Sequence, residues 1–316
     1  MKRNITITVF LASVIAFCGV SGGVYAQNDN VTLPDASAHT VLRLPNVHPG
    51  RDNVFNYAKS LLEMALTVTE ERYGTYEFVV SESELSQERQ LRSLEHDLLD
   101  VTWSVTSIDR EKQHLAIRIP IMAGLFGKRI LLINESATAF NTPLTLSQLQ
   151  QLRSVQGYDW PDTKILRHNN MGVLETTYRA SFRIVAEGFA DMYPRGIMEI
   201  SKEENNKALS RNLVIEPNLV LSYPSPMFFF TGIDNTLLAE RITEGLLILI
   251  KNGECQRHLF AQEVYKDSMN MIRGRAVIHL ENPLLSEPSK QAMDTFLPHF
   301  TNKNNGLHDV KQQHHR

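Results

Sequence analysis

Cysteine is nearly absent: the 316 residues hold two, Cys18 and Cys255. A disulfide framework is therefore excluded, and cohesion must come from burial and hydrogen bonding. An excess of one charge is lacking too. Thirty-two Lys and Arg face 35 Asp and Glu, for a formal net charge of −3. Such a balance, with no basic patch, argues against a nucleic-acid partner. Past residue 26 no apolar run is long enough to span a membrane. Phe228-Phe229-Phe230 and residues 246–250 read as a buried strand and a buried helix. There is no Gly-x-Ser-x-Gly elbow, no Walker loop and no His-Glu-x-x-His. Solenoid repeats and low-complexity runs are also missing. The histidines are scattered, and His308, His314 and His315 fit no defined metal spacing.

What is present begins with an export signal. Lys2 and Arg3 precede an uncharged apolar run at 5–20, and Val24-Tyr25-Ala26 offers small residues where a signal peptidase reads. Cleavage is expected after Ala26, which places the mature chain in the periplasm. Phe17 stands where a lipoprotein would need a small residue before Cys18. Losing Lys2 and Arg3 takes the net charge to about −5, and roughly 290 residues remain, enough for one large or two ordinary domains. At 42% hydrophobic content the chain can build a packed core. Cys255 reads as a small core residue.

Residues 41–44 read as a strand stopped by Pro45. Asp52 caps a helix expected to run to Tyr73, with Val54, Ala58, Leu61, Ala65 and Val68 at helical spacing. A strand at 76–80, a helix at 86–99 and a strand at 101–105 follow. Strand–helix alternation of this kind implies parallel strands with crossover helices. Gly124 and Gly127, inside an apolar stretch, suggest a flexible crossing. Beyond it come a strand at 129–133, a helix opened by the capping box Thr145-Leu146-Ser147-Gln148 and reaching 155, a strand at 163–166, a helix at 175–187 and a strand at 189–193. Extended chain at 219–223 and 227–230, broken by Pro224 and Pro226, leads to a helix at 236–251 and an edge strand at 277–280. The expected organisation is a signal peptide (1–26), a first lobe (27–123), a second lobe (124–217), a return to the first lobe with C-terminal helices (218–300) and a disordered tail (301–316). The fold class is α/β: two lobes, each with a central, mostly parallel sheet flanked by helices, joined by a two-strand hinge that can close on a ligand.

Asp100-Val101-Thr102-Trp103-Ser104-Val105-Thr106, then Asp109-Arg110-Glu111, then Ile119-Pro120-Ile121, resembles the first-lobe core of type II periplasmic solute-binding proteins, nearest to the amino-acid-binding family. Tyr158-Asp159-Trp160-Pro161-Asp162-Thr163 and Asp191-Met192-Tyr193-Pro194-Arg195-Gly196 resemble a less characterised branch of that superfamily. The likeness runs over residues 41–300. It implies that Arg110 takes a ligand carboxylate, although this chain has one extra residue between Thr106 and Arg110. It also lacks the aromatic–proline motif usual after the first strand, which leaves the ligand class open.

The residues by themselves support a site at the strand ends, where open α/β sheets bind ligands. A guanidinium offers two parallel hydrogen bonds to a carboxylate. Arg110 is the first candidate, with a surface pair to Asp109 or Glu111 as the alternative. Ser104 and Thr106 put hydroxyls on one side of a strand and could serve the same carboxylate. Trp103 could stack on a ligand or sit in the core. Arg195 could meet the ligand from the opposite wall or form a structural ion pair. Arg129 reads as hinge support, and His48 as a polar loop residue facing the cleft. Glu203-Glu204 reads as a solvated pair. These features describe a binding protein with no catalytic residue, no cofactor and no metal. It would capture a small polar ligand, an amino acid or similar carboxylate, and work as a monomer with an inner-membrane permease or a sensor. The alternatives are an enzyme on the same fold, of dehydratase or peptidoglycan-cleaving type, and a ligand-free protein-interaction module.

Overall fold

A computed structural model describes residues 35–46, 52–158 and 160–300. The signal segment, His48 and the tail 301–316 lie outside the described residues. In the first lobe the elements are β1 (His39–Asn46), α1 (Asp52–Thr67), α2 (Glu70–Tyr73), β2 (Thr75–Glu84), α3 (Gln87–Glu95), β3 (Thr102–Val105), α4 (Ile108–Gln113) and β4 (Leu115–Ile117). The second lobe holds β5 (Lys128–Asn134), α5 (Leu146–Leu149), β6 (Arg153–Gly157), α6 (Pro161–His168), β7 (Gly172–Thr176), α7 (Tyr178–Ala186), β8 (Tyr193–Gly196), α8 (Ile200–Asn205), β9 (Leu213–Ile215) and β10 (Leu219–Ser222). The chain then continues through β11 (Met227–Thr231), α9 (Thr236–Lys251), α10 (Glu254–Ala261), α11 (Glu263–Ile272), β12 (Ala276–His279) and α12 (Glu287–Phe300).

α1 shows why the first lobe coheres. Its pairs Tyr57–Ala58, Leu61–Leu62 and Ala65–Leu66 recur every four residues, and all six are buried. That stripe packs on α9, whose Leu238, Ile242, Leu246 and Leu249 form the matching face. Gly245 is required at this contact, because any Cβ there would run into the backbone of Ala65. Each buried leucine is worth about 1.5–3 kcal/mol of transfer free energy, so Leu61→Ala, with its cavity, costs about 2–5 kcal/mol.

The two-lobed α/β arrangement holds, but within it the sheets are mixed rather than mostly parallel. β1 pairs with β2, β6 with β7 and β10 with β12 in parallel. β11 runs antiparallel to β3 and β4, and β5 runs antiparallel to β8, β9 and β10. β5 and β11 are the strands that enter a lobe after a crossing. Each therefore runs opposite to neighbours built by local strand–helix–strand connections.

Several boundaries differ from the sequence expectation, each for a physical reason. Residues 163–166 lie inside α6, because Pro161 starts a helix whose Thr163, Ile165 and Leu166 are buried. The capping box of Thr145 and Gln148 is present but opens only a four-residue helix, and residues 153–157 form β6 instead. The helix expected at 175–187 begins at Tyr178, after strand β7. The second-lobe strand expected at 189–193 is β8, which passes through Pro194. Proline is tolerated there because β8 is the last strand of its sheet. α3 stops at Glu95, and α1 and α2 break the first expected helix near Thr67. β1 runs through Pro45 to Asn46.

The first crossing is not loose chain. Ile119, Ile121, Met122 and Leu125 are all buried in the core. Its left-handed backbone is confined to Ala123 and Gly124, both with positive φ. The second crossing, 223–226, lies against it: the Tyr223 amide donates to the Gly127 carbonyl at 3.0 Å. Gly127 leaves no room for a Cβ beside the Tyr223 carbonyl.

Candidate ligand-binding site

β3 delivers the first-lobe candidates. Trp103 points into the core against Phe55 and Phe229, with ring centroids 5.3 and 6.2 Å away. It is 5% exposed, so it is a packing residue. Ser104 lies on the opposite face and accepts from Arg110 Nη1 at 2.5 Å. The same nitrogen donates to the Val105 carbonyl, and Nη2 donates to Gln87 Oε1 at 3.2 Å. Arg110 sits on α4, just past the end of β3, opposite the first residue of α3. Its three acceptors are all neutral, and among the described residues no carboxylate forms an ion pair with it, neither Asp109 nor Glu111. Burial pulls its pKa below the ordinary arginine value, against a smaller opposing pull from the Glu88 carboxylate. A partly buried guanidinium without a direct ion pair is costly to keep and complementary to an anion.

Thr106 does not join Arg110. Its hydroxyl donates to Glu111 Oε1 at 2.7 Å. Glu111 gathers Ser289 Oγ at 2.6 Å, Ser286 Oγ at 2.7 Å, and Arg118 Nη2 and Nε at 2.9 and 3.1 Å. Burial would raise its pKa, but the bonds from Ser289, Thr106, Ser286 and Arg118 outweigh burial and hold the carboxyl below its usual range. Neither Glu111 nor the two serines was legible as a site. The serines are more than 170 residues away in sequence, in a stretch without a motif.

The second lobe presents a different wall. Arg195, on β8, donates from Nε to Glu203 Oε2 at 2.8 Å and from Nη2 to Glu203 Oε1 at 2.5 Å and Glu199 Oε2 at 2.9 Å. Its guanidinium lies over the rings of Trp160, Tyr193 and Tyr178 at 4.8, 5.0 and 5.5 Å. Tyr178 also donates to Glu203 at 3.0 Å. Burial, with Glu203 close by, pushes the Tyr178 phenol up to about 12. Arg195 and Glu203 side chains are each 8% exposed. Glu203 is thus not part of a solvated pair but the buried counterion. Only its neighbour Glu204 makes a lysine pair of the surface kind, with Lys207.

Arg129 meets Asp162 at 2.6 and 3.3 Å and donates to the Phe126 carbonyl at 2.7 Å. Tyr223 donates to the same Asp162 oxygen and offers its ring to Arg129 at 5.4 Å. Burial raises the Asp162 pKa and the Arg129 charge more than reverses it, leaving the carboxyl below its ordinary range. This triad ties α6 to both crossings. Trp160 is fixed by Gly157, where a Cβ would come within 2.7 Å of the indole ring.

Two open cavities lie elsewhere. A groove of about 790 Å³ runs between β4 and α9 and includes Arg118, Leu247 and Lys251. A smaller one of about 470 Å³ lies near Asn134 and Asp191 in the second lobe. Cys255 is fully buried and burial pushes its thiol up to about 12, so it is an inert core residue. Among the described residues no group of three His, Cys, Asp or Glu could hold a metal ion, and no helix is long and apolar enough to cross a membrane.

No protein-family model matches the sequence, and neither does any curated protein. Solved structures do. The chain is similar to the probable amino-acid ABC transporter extracellular-binding protein of Bacillus subtilis at a TM-score of 0.52 and 13% identity, over 72% of this chain and 98% of that one. It is also similar to an arginine-specific periplasmic binding protein of Salmonella typhimurium (TM-score 0.46, 12% identity, over 71% and 98% of the two chains) and, at 16% identity and TM-score 0.45, over 72% and 97%, to a histidine kinase sensor domain with similarity to periplasmic binding proteins. The Bacillus structure supports the fold: two α/β lobes arranged as in the type II periplasmic binding proteins.

Proposed function

We propose that this chain is an exported, non-enzymatic binding protein that captures a small carboxylate-bearing ligand between its lobes, as a monomer, for a membrane permease or a sensor. One observation carries the reading: Arg110, on α4 just past β3, hydrogen-bonds to neutral acceptors only and has no ion-pair partner among the described residues. Gln87, Ser104 and the Val105 carbonyl hold the guanidinium in place, and its remaining N–H groups are available to an anion. Capture by the first lobe followed by hinge closure would bury the ligand carboxylate and supply the missing charge. The similarity to the probable amino-acid binding protein of Bacillus subtilis favours an amino acid or a similar metabolite.

A thermal-shift screen with amino acids and small carboxylates tests the reading. A ligand at 100 times its Kd raises stability by about 2.7 kcal/mol. Wild type is expected to shift with at least one such ligand and to contract in solution scattering. Arg110→Ala is expected to lose the shift while staying folded. No shift with any carboxylate, or an undiminished shift in Arg110→Ala, overturns the proposal.

A second reading rests on the opposite wall. Arg195 is already enclosed by Glu203, Glu199 and three aromatic rings, so this part of the second lobe is filled by the protein's own side chains. A module that binds a protein partner with its lobes fixed would have this property. It would bind no small carboxylate and would not contract.

A further inference from the structure

Past β12 the chain bonds both lobes once more, within eleven residues and in addition to the two crossings. The Leu280 amide donates to the Ser222 carbonyl at 2.8 Å, continuing the β10–β12 pairing. Glu281 is bound to the end of α6 twice through Asn169, its amide donating to Oδ1 at 2.9 Å and its carbonyl accepting from Nδ2 at 2.8 Å. Its carboxylate lies 3.1 Å from His168 Nε2. Asn282 Nδ2 then donates to the Pro224 carbonyl, at the second crossing, at 2.8 Å. Two residues on, the chain is on the first lobe. The Leu284 carbonyl accepts from the Ile108 amide, the first residue of α4, at 2.9 Å. Ser286 and Ser289 close onto Glu111 of the same helix.

We propose that residues 279–289 are a strap, a third connection between the lobes, and that Glu111 is the latch holding it to the first lobe, so that α4 and α6 are mechanically coupled. Glu111 suits the role by its geometry. Both carboxylate oxygens are engaged, by donors from the residue after β3, the residue after β4, and the strap and α12. Its side chain is 4% exposed, so water does not compete for those donors. Arg110 is the residue beside it on α4. Any displacement of α4 at the proposed ligand site is thus carried to Ser286 and on to Glu281 at α6. The strap does not depend on a ligand, and it stands or falls separately from the carboxylate-binding reading.

The test is reciprocal amide hydrogen exchange with solution scattering on the whole ligand-free protein. Glu111→Gln breaks the first-lobe end and Asn169→Ala the second-lobe end. Glu111→Gln is expected to speed exchange of the distant Leu280 and Glu281 amides at least about tenfold, and Asn169→Ala to do the same for the Ile108 amide. Both variants are expected to expand the scattering envelope, and the double variant no more than the larger single one. If each variant speeds only amides at its own end and the envelope is unchanged, the strap is refuted. Should Glu111→Gln fail to fold, the double substitution Ser286→Ala with Ser289→Ala releases the latch from the other side and reads the same amides.

Discussion

Arg110 and Arg195 are the same residue placed at strand ends in the two lobes, and their surroundings could hardly differ more. Arg195 has two carboxylates and three aromatic faces. Arg110 has a serine hydroxyl, a carbonyl and a glutamine amide. The first arrangement is complete and serves stability. The second leaves a positive charge half withdrawn from water with no ion-pair partner among the described residues, Glu88 acting on it only through space. A desolvated, unneutralised charge marks a place where something else can bind, and a saturated one marks a place where nothing further can.

The contrast can be broken most forcefully at Glu203. Glu203→Ala strands the Arg195 charge in a buried site and is expected to cost about 3–5 kcal/mol in urea unfolding. A loss below about 1 kcal/mol would mean that water reaches Arg195. The two arginines would then be alike. Next in size, Arg195→Lys keeps the charge but loses the planar fork and the ring stacking. About 1–2 kcal/mol is expected. Acid titration sharpens the comparison at Arg110's neighbour. The folded-state pKa of Glu111 is depressed, so its stabilising contribution is complete above its ordinary value of 4.5 and is lost as pH falls through the lower folded value. Wild type should therefore lose more stability than Glu111→Gln over that acid window, and parallel curves would contradict the assignment. The smallest effect on stability is expected at Arg110 itself. Arg110→Gln removes a counterion-free charge but leaves Ser104 and Val105 with poorer partners, and the two nearly cancel to within about 1 kcal/mol. A large loss would show that Arg110 is structural, like Arg195.

How much of this was legible follows from the range of each signal. α9 was readable end to end because its apolar residues repeat at helical spacing with no proline or strand-like segment to compete. Residues 163–166 misled because four residues are too few to show a period, and the deciding cue, Pro161, lay just outside them. Arg110, Arg129 and Arg195 stood out because arginine after a strand is a local pattern. Which of them is neutralised was not, since Asp162 and Glu203 reach their partners only through the fold. Glu203 in particular reads as solvated in sequence, and becomes buried because α8 turns it onto β8. The serines that hold Glu111 carry no local sign of doing so.

Gly127 has one more consequence. With no side chain there, the outgoing and returning chains lie flush, and the Gly127 carbonyl takes the Tyr223 amide. Two chains clasped this tightly do not splay at this point, so the closure proposed above would have to be taken up beside it, as at Ala123–Gly124, where φ is positive. Even a methyl group at Gly127 would collide with the Tyr223 carbonyl oxygen and force the two chains apart, so this clasp exists only while the position carries no side chain.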